Sequence, residues 1–206
     1  YRRAKISFRY FIVELITGLL YTLLLIKFGL TVSFIFSTTL TLFLLIASGI
    51  DWRYQIIPDE INYSLIILGL ATSFINPLPE PLLFHLTISP AINAFLNSLG
   101  SGLLAGGVFW VLAAAGGKIF RREALGGGDI KLLAGLGTII GFVNVLWTIF
   151  IATWLGSIFG LAGIILFKRD KDRPIPFGPF LSFAAILVLL SQPWLNQLYA
   201  LWLIPQ

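Results

Sequence analysis

An all-α, polytopic membrane bundle of about seven helices with a cytoplasmic N-terminus is the architecture this sequence predicts, on three observations. Of its 206 residues, 58% are hydrophobic and 11% charged, whereas about a quarter of the residues of a soluble domain are charged. The apolar residues gather into runs of about 20, the number needed to cross a hydrocarbon core about 30 Å thick at about 1.5 Å per residue. The cations fall between alternate runs, which gives the runs a direction. No fixed-period repeat interrupts the chain, so residues 1–206 read as a single integral-membrane domain.

Residues 1–9, the basic "YRRAKISFR", read as a cytoplasmic remnant. Tyr1 in place of methionine predicts that a segment once preceded it. The first helix is expected from Tyr10 to Phe28, the second from Val32 to Ile50 and the third from Ile61 to Ile75. The stretch "NPLPEPLLFHLTISPAINAF" is rich in proline and predicts an outer loop. A fourth helix is expected from Leu96 to Gly117, with Gly102 and Gly106 spaced for close helix contact. The fifth, Ile130 to Phe142, is too short for a simple crossing. It must tilt, thin the bilayer or start inside a protein-lined cavity. The sixth, Leu146 to Phe167, carries Gly156 and Gly160 for packing or dimerisation; the seventh runs from Pro179 to Leu203.

If all seven cross and the N-terminus is inside, thirteen of the fourteen Lys and Arg residues lie on the cytoplasmic side, with Lys27 alone outside. Omitting the short fifth segment would move "KRDKDR" outward and spoil that segregation. The net charge of +5 is thereby accounted for by topology and anionic lipid, and calls for no nucleic-acid partner. Because the chain contains no cysteine, disulfides, thiolate metal sites and cysteine nucleophiles are excluded.

An ionised aspartate near the bilayer centre costs about 2.5–3.5 kcal/mol even on the insertion scale, so the placement of acids is informative. Asp170 and Asp172 belong to a charged loop, and Glu80 to the outer loop. Asp51 instead ends the apolar run "TLTLFLLIASGI", and Asp129 opens the short fifth segment after Gly126, Gly127 and Gly128. Both fall at the cytoplasmic ends of their helices, in the expected loops 51–60 and 118–129. Two readings stay open on spacing alone: a carboxylate pair that meets in the bundle, or two acids that merely terminate helices. A phosphate cradle fits poorly, since the lysine and hydroxyl that should follow the glycines are missing.

"DWRYQIIPDE", from Asp51 to Glu60, and "EALGGGDIKLLAGLG", from Glu123 to Gly137, resemble the two aspartate motifs of the type IV prepilin peptidases, membrane aspartic proteases of the Gly-x-Gly-Asp class. "ISFRYFIVELITGLLY" and "PIPFGPFLSF" resemble two further stretches of the same family, in the same order. The resemblance implies that Asp51 and Asp129 are the catalytic aspartates, and that Gly126, Gly128, Pro58 and Asp59 are motif residues. It implies cleavage of the short basic leader of prepilins and pseudopilins after a glycine, at the cytoplasmic face of the bacterial inner membrane. Many members also methylate the new N-terminus with S-adenosylmethionine. The usual first membrane segment and cysteine-bearing loop do not match here, and Phe11 stands where proline is common. Zinc is therefore not expected in this chain, and S-adenosylmethionine only with an upstream region present. Proteolysis itself requires no cofactor.

Two carboxyls in one site cannot both ionise cheaply, so one keeps a proton to donate while the other activates water. Gly126 to Gly128 are expected to let an extended substrate backbone approach Asp129. Asp59, Glu60 and Glu123 are candidates to attract the basic leader, or are solvated or capping acids. Glu14, one turn inside the first helix, is expected to pair with Arg9 or Lys131, or to serve the site. Lys131 is expected to snorkel to the surface or to tune the dyad. The rival class is a proton-coupled transporter, which also places acids within membrane helices.

Overall fold

The computed structural model describes residues 8–76, 78, 89–120, 125–167 and 175–203. Among the described residues seven helices follow one another: α1 (Phe8–Phe28), α2 (Val32–Tyr54), α3 (Asp59–Ala71), α4 (Pro90–Phe120), α5 (Gly127–Ile140), α6 (Phe142–Phe167) and α7 (Gly178–Leu203). Their number and order are those the apolar runs predict. Among the described residues, four spans have the length and apolarity to cross a membrane: Tyr10–Phe28, Val32–Tyr54, Pro90–Ile119 and Phe142–Leu166. At 13 and 14 residues, α3 and α5 extend only about 20 Å each, well short of a hydrocarbon core.

The expected catalytic loops are shorter than their motifs, because helix invades both. The α2 helix continues through Trp52, Arg53 and Tyr54 before Gln55, at φ 56, turns the chain in the left-handed region and donates its N–H to the Asp51 carbonyl at 2.8 Å. Asp51 is therefore in the last turn of a helix. On the other side α4 runs to Phe120 and α5 begins at Gly127, so Asp129 lies in a first helical turn. Glu123 lies outside the described residues, as do the charged stretch 168–174 and most of the outer proline-rich loop.

Two groups of helices share the work of packing. In one, α5 is sheathed by α3 and α4; in the other, α7 lies against α2 and α6, and α1 rests chiefly on α2. Lipid is as apolar as leucine, so the hydrophobic effect does little to drive helices together inside a bilayer. Close backbone approach and polar contacts carry the association instead. At α5 the approach is tight: a Cβ on Gly137 would lie 2.6 Å from the Ser101 carbonyl oxygen, and one on Gly135 would lie 2.9 Å from the Leu65 Cβ. Gly106 meets the Ala134 side chain in the same way, at 3.1 Å, which bears out the packing expected of Gly102 and Gly106. Gly160 and Gly156, by contrast, face Ile175 and Phe177 with Phe180 of the same chain, so their small faces are already covered within this chain.

A short helix ending inside protein leaves carbonyls without partners. Here side chains from three directions take them up. Ser98 Oγ donates to the Thr138 carbonyl (2.7 Å), Asn76 Nδ2 to that of Ile139 (2.8 Å) and Asn144 Nδ2 to that of Ile140 (2.7 Å). The C-terminal end of α5 thus lies within the bundle, its last carbonyls taken up by side chains of α4, α6 and the stretch after α3. A related repair explains Lys27. Pro193 has no N–H to give to the Leu189 carbonyl four residues earlier in α7, and Lys27 Nζ donates to that oxygen.

Candidate active site

Asp51 and Asp129 come from opposite helix groups and line one cleft of about 580 Å³. Gln55, Leu125 and Gly126 form its walls beside the carboxylates. Ile149 and Thr153 of α6 and the segment Ile175 to Phe177 complete it. The two acids are near enough for their charges to interact. Asp51 is 5% exposed, at the contact between α2 and the start of α7.

A backbone donor holds Asp51. The Gly178 N–H, at the entry to α7, donates to its Oδ2 at 2.8 Å. A Cβ on residue 178 would lie 2.7 Å from that oxygen and 3.1 Å from the Asp51 Cβ, so only glycine lets α7 approach this closely. Gly178 lies within "PIPFGPFLSF", where nothing in the local sequence distinguishes it; its role exists only once α2 and α7 are side by side.

Asp129 is held by the geometry of its own turn. It occupies the third helical position after the N-cap Gly126, and its carboxylate bends back over that residue, where a Cβ would stand 3.1 Å from Oδ2. This is the position from which an acid at a helix start reaches back toward the cap. Gly128 has a different use from the one expected. The space its side chain would fill is taken by Ile57, whose Cβ, carbonyl oxygen and nitrogen lie 3.1, 3.3 and 3.4 Å from the position of a Cβ. The glycine lets the segment between α2 and α3 dock on the first turn of α5. Gly127 alone of the three is open, with nothing within 4 Å. Behind the turn, the fully buried Asn62 donates through Nδ2 to the Gly128 carbonyl at 3.3 Å. An asparagine inside the apolar run "INYSLIILGL" was the signal that could have found it.

The remaining candidates divide. Pro58 is the N-cap of α3, and its carbonyl accepts the N–H groups of Ile61 (3.2 Å) and Asn62 (3.4 Å). Asp59 and Glu60 follow in the first turn, both exposed, where acids favour the positive end of the helix dipole. Lys131 donates to both oxygens of Asp59, at 2.7 and 2.8 Å, and lies over the Tyr63 ring. It therefore lies at the surface, paired with the neighbouring helix α3, in keeping with the first of its two expected roles and not with the second, at the dyad. Glu14 is exposed on α1, and the pairing with Lys131 expected for it does not form. The side chain of Arg9, its other expected partner, is outside the described residues.

The sequence profile of the type IV leader peptidase family matches residues 38–161, a span that includes both Asp51 and Asp129. A prepilin leader peptidase/N-methyltransferase of Xanthomonas campestris pv. campestris is 33% identical over 96% of this chain and 63% of its own length. The protein of that name from Pseudomonas aeruginosa is also 33% identical, with the same coverage. The Bacillus subtilis protein of that name is 28% identical over 90% of this chain and 67% of its own. The chain thus spans a little under two thirds of the length of the first two. No solved structure matches it. Sequence profile, relatives and the convergence of the two aspartates agree: the chain belongs to the type IV leader peptidase family.

Proposed function

We propose that this chain is the proteolytic part of a prepilin peptidase, an aspartic endopeptidase that removes the short basic leader of type IV prepilins and pseudopilins at the cytoplasmic face of the bacterial inner membrane. One observation carries the reading: two carboxylates from separate helix groups border a single cleft. The Gly178 N–H occupies one oxygen of Asp51, which orients that carboxyl and leaves the other oxygen for the reaction. With one proton shared between two adjacent carboxyls, the charged member draws a proton from water as it attacks the scissile carbonyl. The protonated member donates to the developing oxyanion. Collapse of the tetrahedral intermediate returns a proton to the leaving amine. Which aspartate starts charged is a property of the pair.

The reading assigns proteolysis, and not methyl transfer, to these residues, because both carboxylates lie within them. The chain has no cysteine, and the described residues form no cluster of three or more His, Asp or Glu side chains able to hold a metal. A thiolate zinc site does not fit, and no step passes through one.

Incubating the purified chain in detergent with a prepilin is the direct test: a product shortened by the leader is expected, and an uncut substrate refutes the proposal. The accompanying topology has all seven helices entering the bilayer from a cytoplasmic N-terminus. A reporter fused within residues 168–173 is then expected to read cytoplasmic and one near residue 79 external, and the same side for both refutes it.

A further inference from the structure

The helices that hold the two carboxylates are joined again away from the cleft. Asp129 lies in the first turn of α5, and Gly178, the donor to Asp51, opens α7. These two helices pack chiefly against different partners, α5 against α3 and α4, and α7 against α2 and α6. A chain of hydrogen bonds nevertheless runs from one to the other. Gln192 of α7 donates through Nε2 to the Leu78 carbonyl (2.8 Å), the Leu78 N–H donates to Asn76 Oδ1 (3.1 Å), and Asn76 Nδ2 donates to the Ile139 carbonyl in the last turn of α5 (2.8 Å). We propose that this link sets the spacing of Asp51 and Asp129 at the other end of the same helices, with Gln192 and Asn76 as positioning residues for the dyad.

The lengths involved make the link a lever. From Asp129 to Ile139 is about 15 Å along α5, and from Gly178 to Gln192 about 21 Å along α7, at about 1.5 Å per residue. A change in the angle between the helices at the link therefore displaces the carboxyls at the cleft. The link is also stiff. Gln192, Leu78 and Asn76 are all buried, so each donor and acceptor has its partner in the protein and none is shared with solvent. In such surroundings a hydrogen bond is stronger than in water, and breaking it leaves an unpaired group behind. Leu78 takes part through its backbone N–H and C=O, which cannot swing away as a side chain can. The chain itself already joins α5 to α6 beside this point, through Gly141 at φ 82, and the link adds α7. Polar contacts of this kind select one helix arrangement over another where apolar surfaces alone do not. The consequence for turnover rests on the peptidase reading above; the consequence for spacing does not.

The test measures that spacing and turnover in the whole chain in detergent. Because the chain has no cysteine, Arg53→Cys and Lys131→Cys, both exposed and one on each side of the cleft, can carry spin labels whose separation is read by pulsed electron resonance. Gln192→Met keeps the length of the side chain and removes the donor, cutting the link at α7; Asn76→Ala cuts it at α5, so either variant that inserts is sufficient. Each is expected to displace or broaden the label separation by about 1 Å or more, and to lower kcat on a prepilin by about 10- to 100-fold with KM nearly unchanged. Ser98→Ala is the comparison. It removes another buried bond to the end of α5, to the Thr138 carbonyl, but from α4, so the link to α7 stays whole. Its label separation and kcat are expected to stay near those of wild type even where its thermal midpoint falls as far. An unchanged separation in the link variants, an equal change in Ser98→Ala, or a changed separation with kcat intact overturns the proposal. Failure of wild type to cut any prepilin overturns the peptidase reading, and the label separations still decide whether the link sets the spacing.

Discussion

The two carboxylates of the cleft are held in place by different means. Asp51 ends a 23-residue helix of membrane length, and its orientation depends on a donor that reaches it from α7, far along the chain. Asp129 starts a 14-residue helix that is enclosed by α3 and α4, and its orientation follows from its own register after Gly126. A helix long enough to meet lipid needs an external restraint at its end, where fraying is easiest. A short helix sheathed by protein and capped on its C-terminal carbonyls is already rigid. The first acid is placed by tertiary contact and the second by secondary structure.

The largest effect tests whether the two settings serve one purpose. Asp51→Asn and Asp129→Asn should each lower prepilin cleavage by about 10²–10⁴-fold or more, the scale of a lost acid–base group, with membrane insertion preserved. Substantial turnover by either variant would separate that residue from the chemistry.

Next in size is the contrast between restraints. Gly178→Ala puts a methyl 2.7 Å from Asp51 Oδ2 and must displace the carboxyl or α7, so cleavage should drop by about 10²-fold, the usual cost of a misplacement near 1 Å. If kcat is unaffected, the Gly178 contact does not position Asp51.

Gly128→Val should impair cleavage more than Ala134→Val, which should mainly disturb packing by about 1–3 kcal/mol. The structure adds a sharper version. Because the Ile57 Cβ is the atom nearest to the position of a side chain at 128, Ile57→Gly, which removes it, introduced together with Gly128→Ala should restore part of the activity that Gly128→Ala alone removes. No recovery in the pair would return the glycine to the role of clearing space for substrate.

The smallest effect is expected at the rim. The Lys131–Asp59 pair is 40% and 52% exposed, and exposed pairs contribute little, so Lys131→Gln should leave cleavage and thermal midpoint close to wild type, within about twofold in rate. A large loss would place Lys131 in the electrostatics of the dyad after all.

Hydropathy and charge determined the helices, because the bilayer is a solvent with one demanding length and one preferred side for cations. The apolar runs and the acids at their ends were therefore legible, and the two aspartate motifs identified the family. The pairing of helices was not legible in that way. Neither Gly178 nor Asn62 differs in its local sequence from any other glycine or asparagine beside an apolar run; each acquires a role from a neighbour that folding brings to it. The same holds for Lys27, whose carbonyl partner is freed by a proline in another helix. Lys131 and Gly128 were noticed in sequence for their nearness to Asp129, yet contacts from α3 and from Ile57 decide what they do. Adjacency along a helix limits which residues can meet, but close packing between helices selects the pairs, because inside a bilayer contact geometry and hydrogen bonds, rather than the hydrophobic effect, separate one arrangement from another.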